Sequence, residues 1–315
     1  MSLPDFQVFN GSAYNAFVNT LQQQTMLWNQ ATLNALMMSS VSFQGDKDEL
    51  AAFENISSLV GNRDPSSSSA NASHALLELL KIDIKVGWGL PKITYTNTAF
   101  DWTSRDPAIA GTLFGEQVAE GAMAYMLNSA LYSAIAAIDD ADVTYDGTAA
   151  VADLSSLNLG AGKFGDRQSD IVCWVMHSKS INDIYGQALA NSNRLFDFGN
   201  VKVVQDGMGR PLVMTDSDAL HFDNAGTENY HQIGLVSGGV SVMDQGDART
   251  YQVTDIDPVN PLEQLTATGS FGVGIKGYSY STSVVQPDDA ELALPSNWSR
   301  VGGKKDGAGV VVTTL

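Results

Sequence analysis

The sequence predicts an α+β fold, and three stretches carry that prediction. Apolar and polar residues alternate over residues 82–88, which predicts a strand with one covered face. An uninterrupted apolar run, Ile171–Met176, predicts a strand that is buried on both faces. Between them, an apolar stripe over Pro107–Ile138 predicts a helix about 45 Å long. The chain therefore combines one long helix with strands of two kinds.

The amino-terminal residues 1–45 predict a helix or a pair of helices. Apolar side chains follow a helical period through a polar, Gln-rich background, at Tyr14, Phe17, Val18, Leu21, Trp28, Leu33 and Leu36. Because this segment precedes any compact core, two interpretations stay open. It is either an arm or the first helix of an ordinary domain.

The next region, residues 46–100, predicts a long hairpin that projects from the body. GDKDEL and NRDPSSSSANAS have the composition of loops. Residues 92–100 offer a Thr-rich strand, and Gly89-Leu90-Pro91 offers a turn that would pair it with the alternating strand. We therefore expect strand 82–88 and strand 92–100 to be neighbours.

The long helix has clear end signals. Asp106 is a good N-cap and Pro107 is tolerated at the first helical position, whereas Asp139 and Asp140 mark the end. The helix contains three glycines, Gly111, Gly115 and Gly121. Each lowers helix stability by up to ~1 kcal/mol relative to alanine, so we expect that they permit close packing against a sheet or a bend in the helix. Residues 121–138 carry no charge but are too weakly apolar for a comfortable membrane span, so we interpret them as a buried helix.

Residues 166–249 alternate strands with short helices and predict a compact α/β unit. Ser178 can cap a helix whose inward positions are Ile181, Ile184, Tyr185 and Leu189. Residues 250–285 return to strand character. The segment from Pro287 onward is marked by Pro, Gly and Asp, so we expect it to wrap the surface as a tail.

Composition excludes several classes of function. A net charge of −18, with scattered basic residues, disfavours direct nucleic-acid binding, which requires clustered Lys or Arg. The single cysteine, Cys173, excludes an internal disulfide framework and indicates a reducing compartment. Residues 1–15 lack the basic and apolar regions of a signal peptide. A low charged fraction of 17% suits a subunit that contacts neighbours.

No motif predicts a catalytic residue, a cofactor or a metal. GVGIKG at residues 272–277 has the letters of a dinucleotide fingerprint, but strand-forming residues follow it where a helix is needed, so its glycines favour close strand approach instead. Cys173 and His177 stand about 13 Å apart along a strand, too far for a catalytic pair. We expect His177 to satisfy the strand end by a hydrogen bond.

An acidic cluster that includes His221 leaves a cation-binding site as the less favoured alternative. A calcium loop needs a glycine at its sixth position and a glutamate at its twelfth, and His221 and Thr227 occupy those places. A solvated loop is therefore the better interpretation of Asp216, Asp218 and Asp223.

Three segments, in order, resemble the major capsid proteins of tailed bacteriophages. In residues 163–189, Gly-Asp precedes an aliphatic strand that ends in Val-Met-His-Ser, and a short helix follows. In residues 201–216, a strand, a glycine turn and a second strand end in Thr-Asp. In residues 230–240, a tyrosine precedes an apolar strand and a Gly-Gly pair. The resemblance extends in order over residues 43–285.

The resemblance implies the Hong Kong 97 phage-type capsid fold. It predicts an N-terminal arm (1–45), an extended β-hairpin loop (46–102), a peripheral domain with a spine helix (103–165), an axial domain (166–249), a return to peripheral strands (250–295) and a C-terminal tail (296–315). The extended loop of that family reaches over a neighbouring subunit. We therefore predict intersubunit contacts at Ile82, Ile84, Val86, Trp88, Tyr14 and Trp28.

The function that the resemblance implies is structural. The chain is expected to assemble as hexamers and pentamers into an icosahedral virion shell around double-stranded DNA, without enzymatic activity, sequence-specific DNA binding or a membrane. Only about forty residues are available for an amino-terminal scaffold segment, so we predict a separate scaffolding protein, a portal and possible decoration proteins, with assembly in the host bacterial cytoplasm. The alternatives are an encapsulin-type compartment shell and an acidic cytosolic α/β enzyme with a cation site near Asp216.

Overall fold

The computed structural model describes residues 3–53, 78–96, 105–190, 204–205, 209–255 and 262–315. Its helices are α1 (Leu3–Ala31), α2 (Pro107–Ile138), α3 (Leu154–Gly162), α4 (Ser178–Ala190) and α5 (Asp289–Leu292). Its strands are β1 (Leu36–Ser39), β2 (Lys47–Phe53), β3 (Glu78–Gly89), β4 (Ile93–Thr96), β5 (Thr144–Gly147), β6 (Ile171–Met176), β7 (Val204–Gln205), β8 (Pro211–Met214), β9 (His221–Asn224), β10 (Thr227–Val236), β11 (Val240–Asp244), β12 (Arg249–Asp255), β13 (Leu262–Ile275), β14 (Tyr278–Tyr280), β15 (Trp298–Arg300) and β16 (Gly309–Thr314).

Helix α2 is the long helix that the sequence predicted. It begins at Pro107, directly after Asp106, and ends before Asp139, although the Asp106 side chain makes no capping hydrogen bond. Within the part of the chain that the structure describes, α2 alone is long and apolar enough to cross a membrane, and 61% of its most apolar window is buried inside the subunit. The core helix of a folded domain has the same properties.

Helix α1 packs against α2 at very short range. A Cβ atom placed on Gly111 would lie 2.4 Å from the Phe9 carbonyl oxygen, and one on Gly115 would lie 2.1 Å from that of Ala13. The two glycines therefore let the helix backbones touch. The predicted close packing is present, but its partner is a helix and not a sheet. Of the two interpretations of residues 1–45, the packing corresponds to the first helix of a domain.

The first sheet has the strand order β1-β11-β13-β3-β2, with β12 and β4 also paired to β13. The hairpin predicted from residues 82–88 and 92–100 is wrong in its pairing. Strand β3 pairs with β2 on one side and β13 on the other, whereas β4 pairs with β13. Gly89-Leu90-Pro91 connects β3 to β4 without pairing them with each other. Strand β13 has fourteen residues and is long enough to pair with both.

Glycines in β13 permit close approach, as predicted for GVGIKG. A Cβ on Gly272 would lie 2.5 Å from the Phe43 ring, and one on Gly274 would lie 2.5 Å from the Asp83 carboxylate. The next element is strand β14, so the helix that would bind a pyrophosphate does not follow.

The second sheet has the order β5-β16-β10-β6-β8-β7, with β9 paired to β10. Strand β6 is buried as predicted, between antiparallel β10 and parallel β8. Helix α4 covers it with Ile181 and Ile184, both buried. The side chain of Leu189, the fourth predicted inward position, lies outside the described residues.

The prediction of a surface tail over residues 296–315 is wrong for its last part. Strand β16 lies between β5 and β10, and all six of its residues are buried. The apolar run Val310, Val311 and Val312 supplies the reason, because it needs cover on both faces. The predicted boundary at 249 is also misplaced, since β11 already belongs to the first sheet.

Candidate assembly surface

Three of the six predicted contact residues are buried by their own chain. Ile82 is 3% exposed, and Ile84 and Val86 are fully buried in the subunit core. The Ile82 backbone N–H also donates to the Ser279 hydroxyl at 3.1 Å. The prediction that these side chains contact a neighbouring subunit is therefore corrected, because their own subunit already buries them.

Trp88 is half-buried and packs within the subunit. Its indole stacks on the Phe17 ring with 5.8 Å between centroids, so it joins β3 to α1. It also lies over Gly269 of β13, where a Cβ atom would come within 2.7 Å of the indole. Beside it, between β3 and α2, is an apolar cavity of about 570 Å³ lined by Leu90, Phe114 and Tyr125 among others.

The two aromatic residues predicted on α1 remain accessible to different degrees. Tyr14 is 45% exposed, and Trp28 is half-buried against the core. Each lines a surface depression beside α1. Their contact with another subunit stays a prediction.

A hairpin of β2 and the outer part of β3 extends beyond the first sheet. Pairing between β3 and β13 stops at Ile84, so β2 is the one described strand that pairs with residues 78–83, over about 20 Å. Leu50 is 61% exposed and Leu80 is 42% exposed on this ribbon. They occupy opposite faces, because Leu50 lies across from Lys81 and Leu80 lies across from Ala51. Both faces of the ribbon therefore offer apolar side chains to a partner.

The ribbon also has a semi-buried ion pair near its base. Lys81 Nζ lies 3.0 Å from an Asp83 carboxylate oxygen. Desolvation raises the pKa of Asp83, and the nearby Lys81 charge opposes that shift. The pair therefore restrains two neighbouring same-face positions of β3 where the ribbon leaves the sheet.

His177 serves the strand end, as the sequence predicted. The Lys179 backbone N–H donates to His177 Nδ1 at 3.1 Å. The His177 ring packs 5.1 Å from the Tyr230 ring and 5.9 Å from the His221 ring, measured between centroids. The Asp216 carboxylate accepts a hydrogen bond from the Ser178 backbone N–H at 3.2 Å, and hydrogen bonding by Ser178 lowers the pKa of Asp216.

The acidic cluster is dispersed in the structure. Asp223 accepts from the Gly226 backbone N–H, while Asp218 begins a short 3₁₀ turn. Over the described ranges, with their gaps at 54–77, 97–104 and 191–203 among others, no group of three or more His, Cys, Asp or Glu side chains is gathered to hold a metal. Cys173 is buried, and desolvation raises the pKa of its thiol to about 12, so it is not an activated nucleophile.

Sequence reasoning missed a buried polar junction at Gln232. Its amide donates to the hydroxyls of Ser180 at 3.0 Å and Thr314 at 2.9 Å, which ties α4 and β16 to β10. Lys179 Nζ adds a hydrogen bond to the Leu315 carbonyl oxygen at 2.9 Å. No periodic signal in the sequence marks such a junction, because its members lie far apart along the chain.

Known proteins share this architecture. The model of the Gp13-like family, described as major capsid protein 13-like, matches residues 5–311. Among solved structures, the chain resembles the Cyanophage Pam1 capsid asymmetric unit with a TM-score of 0.54 and 12% identity, covering 89% of this chain and 88% of that one. It resembles the capsid of Helicobacter pylori bacteriophage KHP30 with a TM-score of 0.51, 10% identity and the same coverage. No curated protein matches in sequence.

These findings confirm the fold and the structural role that the sequence predicted. At 10–12% identity the solved structures show the fold alone, which is of the Hong Kong 97 capsid type. The family match spans nearly the whole chain and adds the role, which is that of a structural subunit of a phage capsid. The chain belongs to the Gp13-like family of major capsid proteins.

Proposed function

We propose that copies of this chain associate as hexamers and pentamers and close into an icosahedral shell around double-stranded phage DNA. The observation that carries this proposal is the β2–β3 ribbon, which extends beyond the first sheet with Leu50 and Leu80 exposed on opposite faces. An isolated two-stranded ribbon is marginal in water. A neighbouring subunit would cover both faces and stabilise it.

The edge of the ribbon supports the same proposal. Among the described strands, β2 is the last of the first sheet, so one row of its backbone N–H and C=O groups has no partner in the described part of that sheet. Exposed edges favour pairing with another chain. In a shell, pairing at this edge would join each subunit to a defined neighbour.

The charge of the chain fits a container for DNA. The chain has a net charge of −18, and its basic residues are scattered along the sequence without a run that would bind phosphates. DNA could therefore enter and leave without adhering to the wall. We propose no catalytic step and no cofactor, with a separate scaffolding protein, a portal and possible decoration proteins as partners, and assembly in the host bacterial cytoplasm.

The direct test is particle formation by the full chain. Electron microscopy and analytical sedimentation of the expressed protein should reveal hollow particles or rings of subunits. Co-expression with candidate scaffolding proteins extends the test if the chain alone gives only rings. A stable monomer under every one of these conditions would contradict the proposal.

The ribbon itself can be tested by substitution. Leu50→Glu should change the free energy of unfolding by less than ~0.5 kcal/mol, because the side chain is exposed, but it should reduce particle yield strongly. Deletion of residues 62–73, which lie outside the described residues, should act in the same direction. Leu159→Glu, at a residue 51% exposed on α3, is the control and should leave assembly intact. Lost thermal stability with normal particles would assign the ribbon to its own subunit.

A further inference from the structure

Charge is distributed very unevenly along this chain. The protein has 52 charged Lys, Arg, Asp and Glu side chains in 315 residues, so a segment of 45 residues would carry about seven at the chain's average. Residues 1–45 carry one, Asp5. The polar positions of α1 are instead filled by uncharged side chains, with Gln22, Gln23, Gln24 and Gln30 in its second half.

The same segment exposes large apolar side chains. We use the name neutral surface for five exposed residues at the end of α1 and in the chain that follows it: Met26, Leu27, Leu33, Met37 and Val41. Their exposed fractions are 64%, 67%, 52%, 39% and 58%, respectively. Exposed apolar side chains concentrated in one segment of a monomer indicate a segment that another molecule covers. Methionines suit such a surface because they adapt to an irregular partner.

The shape of the neutral surface is suited to contact with another protein. Two apolar depressions, each of about 540 Å³, flank the second half of α1. One is lined by Met26 and Val41, and Asp244 is the one charged residue among the described residues that line it. The other is lined by Leu27, Trp28 and Met123, and the described part of the chain adds no charged residue to its lining. Side chains of a partner could therefore enter on either side of the helix without meeting a cluster of charges.

We propose that the neutral surface is the face on which a second copy of this chain packs, and that its lack of charge is what permits this contact. Each copy carries a net charge of −18, so bringing two copies together costs repulsion wherever carboxylates face each other. The cores of protein interfaces are generally depleted of charged residues and enriched in Met and aromatic residues. This inference rests on the proposed function, because it requires that copies associate.

A second copy fits these observations better than nucleic acid does. A phosphate backbone would need Lys or Arg, and residues 1–45 contain neither. A strongly basic partner would in turn find no carboxylate beyond Asp5 in this segment. An equally acidic copy is the partner for which an uncharged face gives the greatest benefit.

The charge requirement can be tested at one exposed position. Leu27→Gln keeps the surface uncharged and matches the glutamines already on α1, whereas Leu27→Glu adds one carboxylate per copy. We expect Leu27→Glu to raise the protein concentration needed for assembly about tenfold or more over Leu27→Gln, with unchanged thermal unfolding of the free subunit. Added salt should restore Leu27→Glu in part, because it screens like charges.

Two results would overturn this part of the inference. Equal assembly by Leu27→Glu and Leu27→Gln would mean that charge is tolerated at the neutral surface. An equal loss with the control Leu159→Glu would mean that any added carboxylate blocks assembly, so the effect would not belong to α1.

Coverage by a neighbour can be measured directly with a thiol. The native cysteine, Cys173, is buried with a raised pKa, so a Met26→Cys variant has one reactive thiol. A maleimide should label it in free subunits and fail to label it in particles made from this chain alone, and after denaturation both this thiol and that of Cys173 should react. Full labelling in intact particles would overturn the inference but leave the proposed shell standing. Protection only while a scaffolding protein is present would assign the surface to that partner and also overturn it. Absence of particles under all conditions would instead contradict the proposed function.

Discussion

Two glycines in α2 determine how closely α1 approaches it. At Gly115 the Ala13 carbonyl oxygen lies 2.1 Å from the place where a Cβ would stand, and at Gly111 the corresponding Phe9 oxygen lies at 2.4 Å. Both obstacles are backbone atoms, which cannot swing aside as a flexible side chain can. The position of α1, and with it that of the neutral surface, therefore depends on two missing methyl groups.

Gly115→Ala should destabilise the subunit by about 1–2 kcal/mol. Alanine gains up to ~1 kcal/mol in helix propensity, but forcing a methyl group into a filled contact costs about 1–3 kcal/mol and moves α1. Urea unfolding of the purified subunit measures the difference.

Gly121→Ala is the matched control in the same helix. Among the described residues, no atom from outside the surrounding helix backbone lies within 4 Å of its Cβ position, so this substitution should stabilise the subunit by up to ~1 kcal/mol. If both substitutions stabilised the subunit equally, α1 would not lie on α2 at the observed distance.

At the scale of elements, strand β16 joins the edge strand β5 to the rest of the second sheet. It pairs with β5 in parallel and with β10 in antiparallel orientation. Its last residues also bind side chains from other elements, since Thr313 contacts His231 and Thr314 accepts from Gln232. The carboxyl-terminal segment is therefore a central part of the core.

Deletion of residues 309–315 should prevent the subunit from folding. It removes the partner of two strands and exposes the faces that Val310, Val311 and Val312 cover. We expect an insoluble product, or a soluble one without a cooperative thermal transition in circular dichroism. Deletion of Leu315 alone, which keeps β16, is the control and should cost about 1 kcal/mol through lost hydrogen bonds. A cooperative transition in the longer deletion would show that β16 is dispensable.

At the scale of the whole molecule, acidification should destabilise the subunit through His231. Burial lowers the pKa of His231 from 6.5 to about 4, and its ring stacks on Phe222 with 4.7 Å between centroids. The unfolded chain binds this proton at a higher pH than the folded one does. The contribution of His231 is therefore complete above pH 6.5 and is lost as the pH falls from 6.5 to 4, by about 3 kcal/mol in total.

A variant isolates this contribution from that of the many carboxylates. His231→Gln removes the titrating ring, so the free energy of unfolding should fall less steeply between pH 6.5 and 4 than it does in the unmodified protein. Denaturant unfolding at three pH values within this range measures both slopes. Equal slopes would mean that His231 takes up its proton without cost in the folded subunit.

Much of the fold follows from local physical chemistry, and the sequence therefore determined it. The helix over Pro107–Ile138 follows from a long, largely uncharged apolar segment with Pro107 at its first position, and strand β6 follows from an apolar run too long to face water. The order of three short segments also sufficed for the resemblance to capsid proteins, because each segment is an element with its own local pattern.

Only the tertiary structure decided how these elements pair and which apolar residues stay uncovered. Strand β3 meets β13 across nearly two hundred residues of sequence, and β16 enters the second sheet between β5 and β10, because long-range pairing depends on shape and burial that no local pattern records. Ile84 and Leu50 are both apolar strand residues, yet the first is buried by its own subunit and the second is exposed. A sequence indicates that a side chain needs cover, whereas the folded subunit determines whether it already has it.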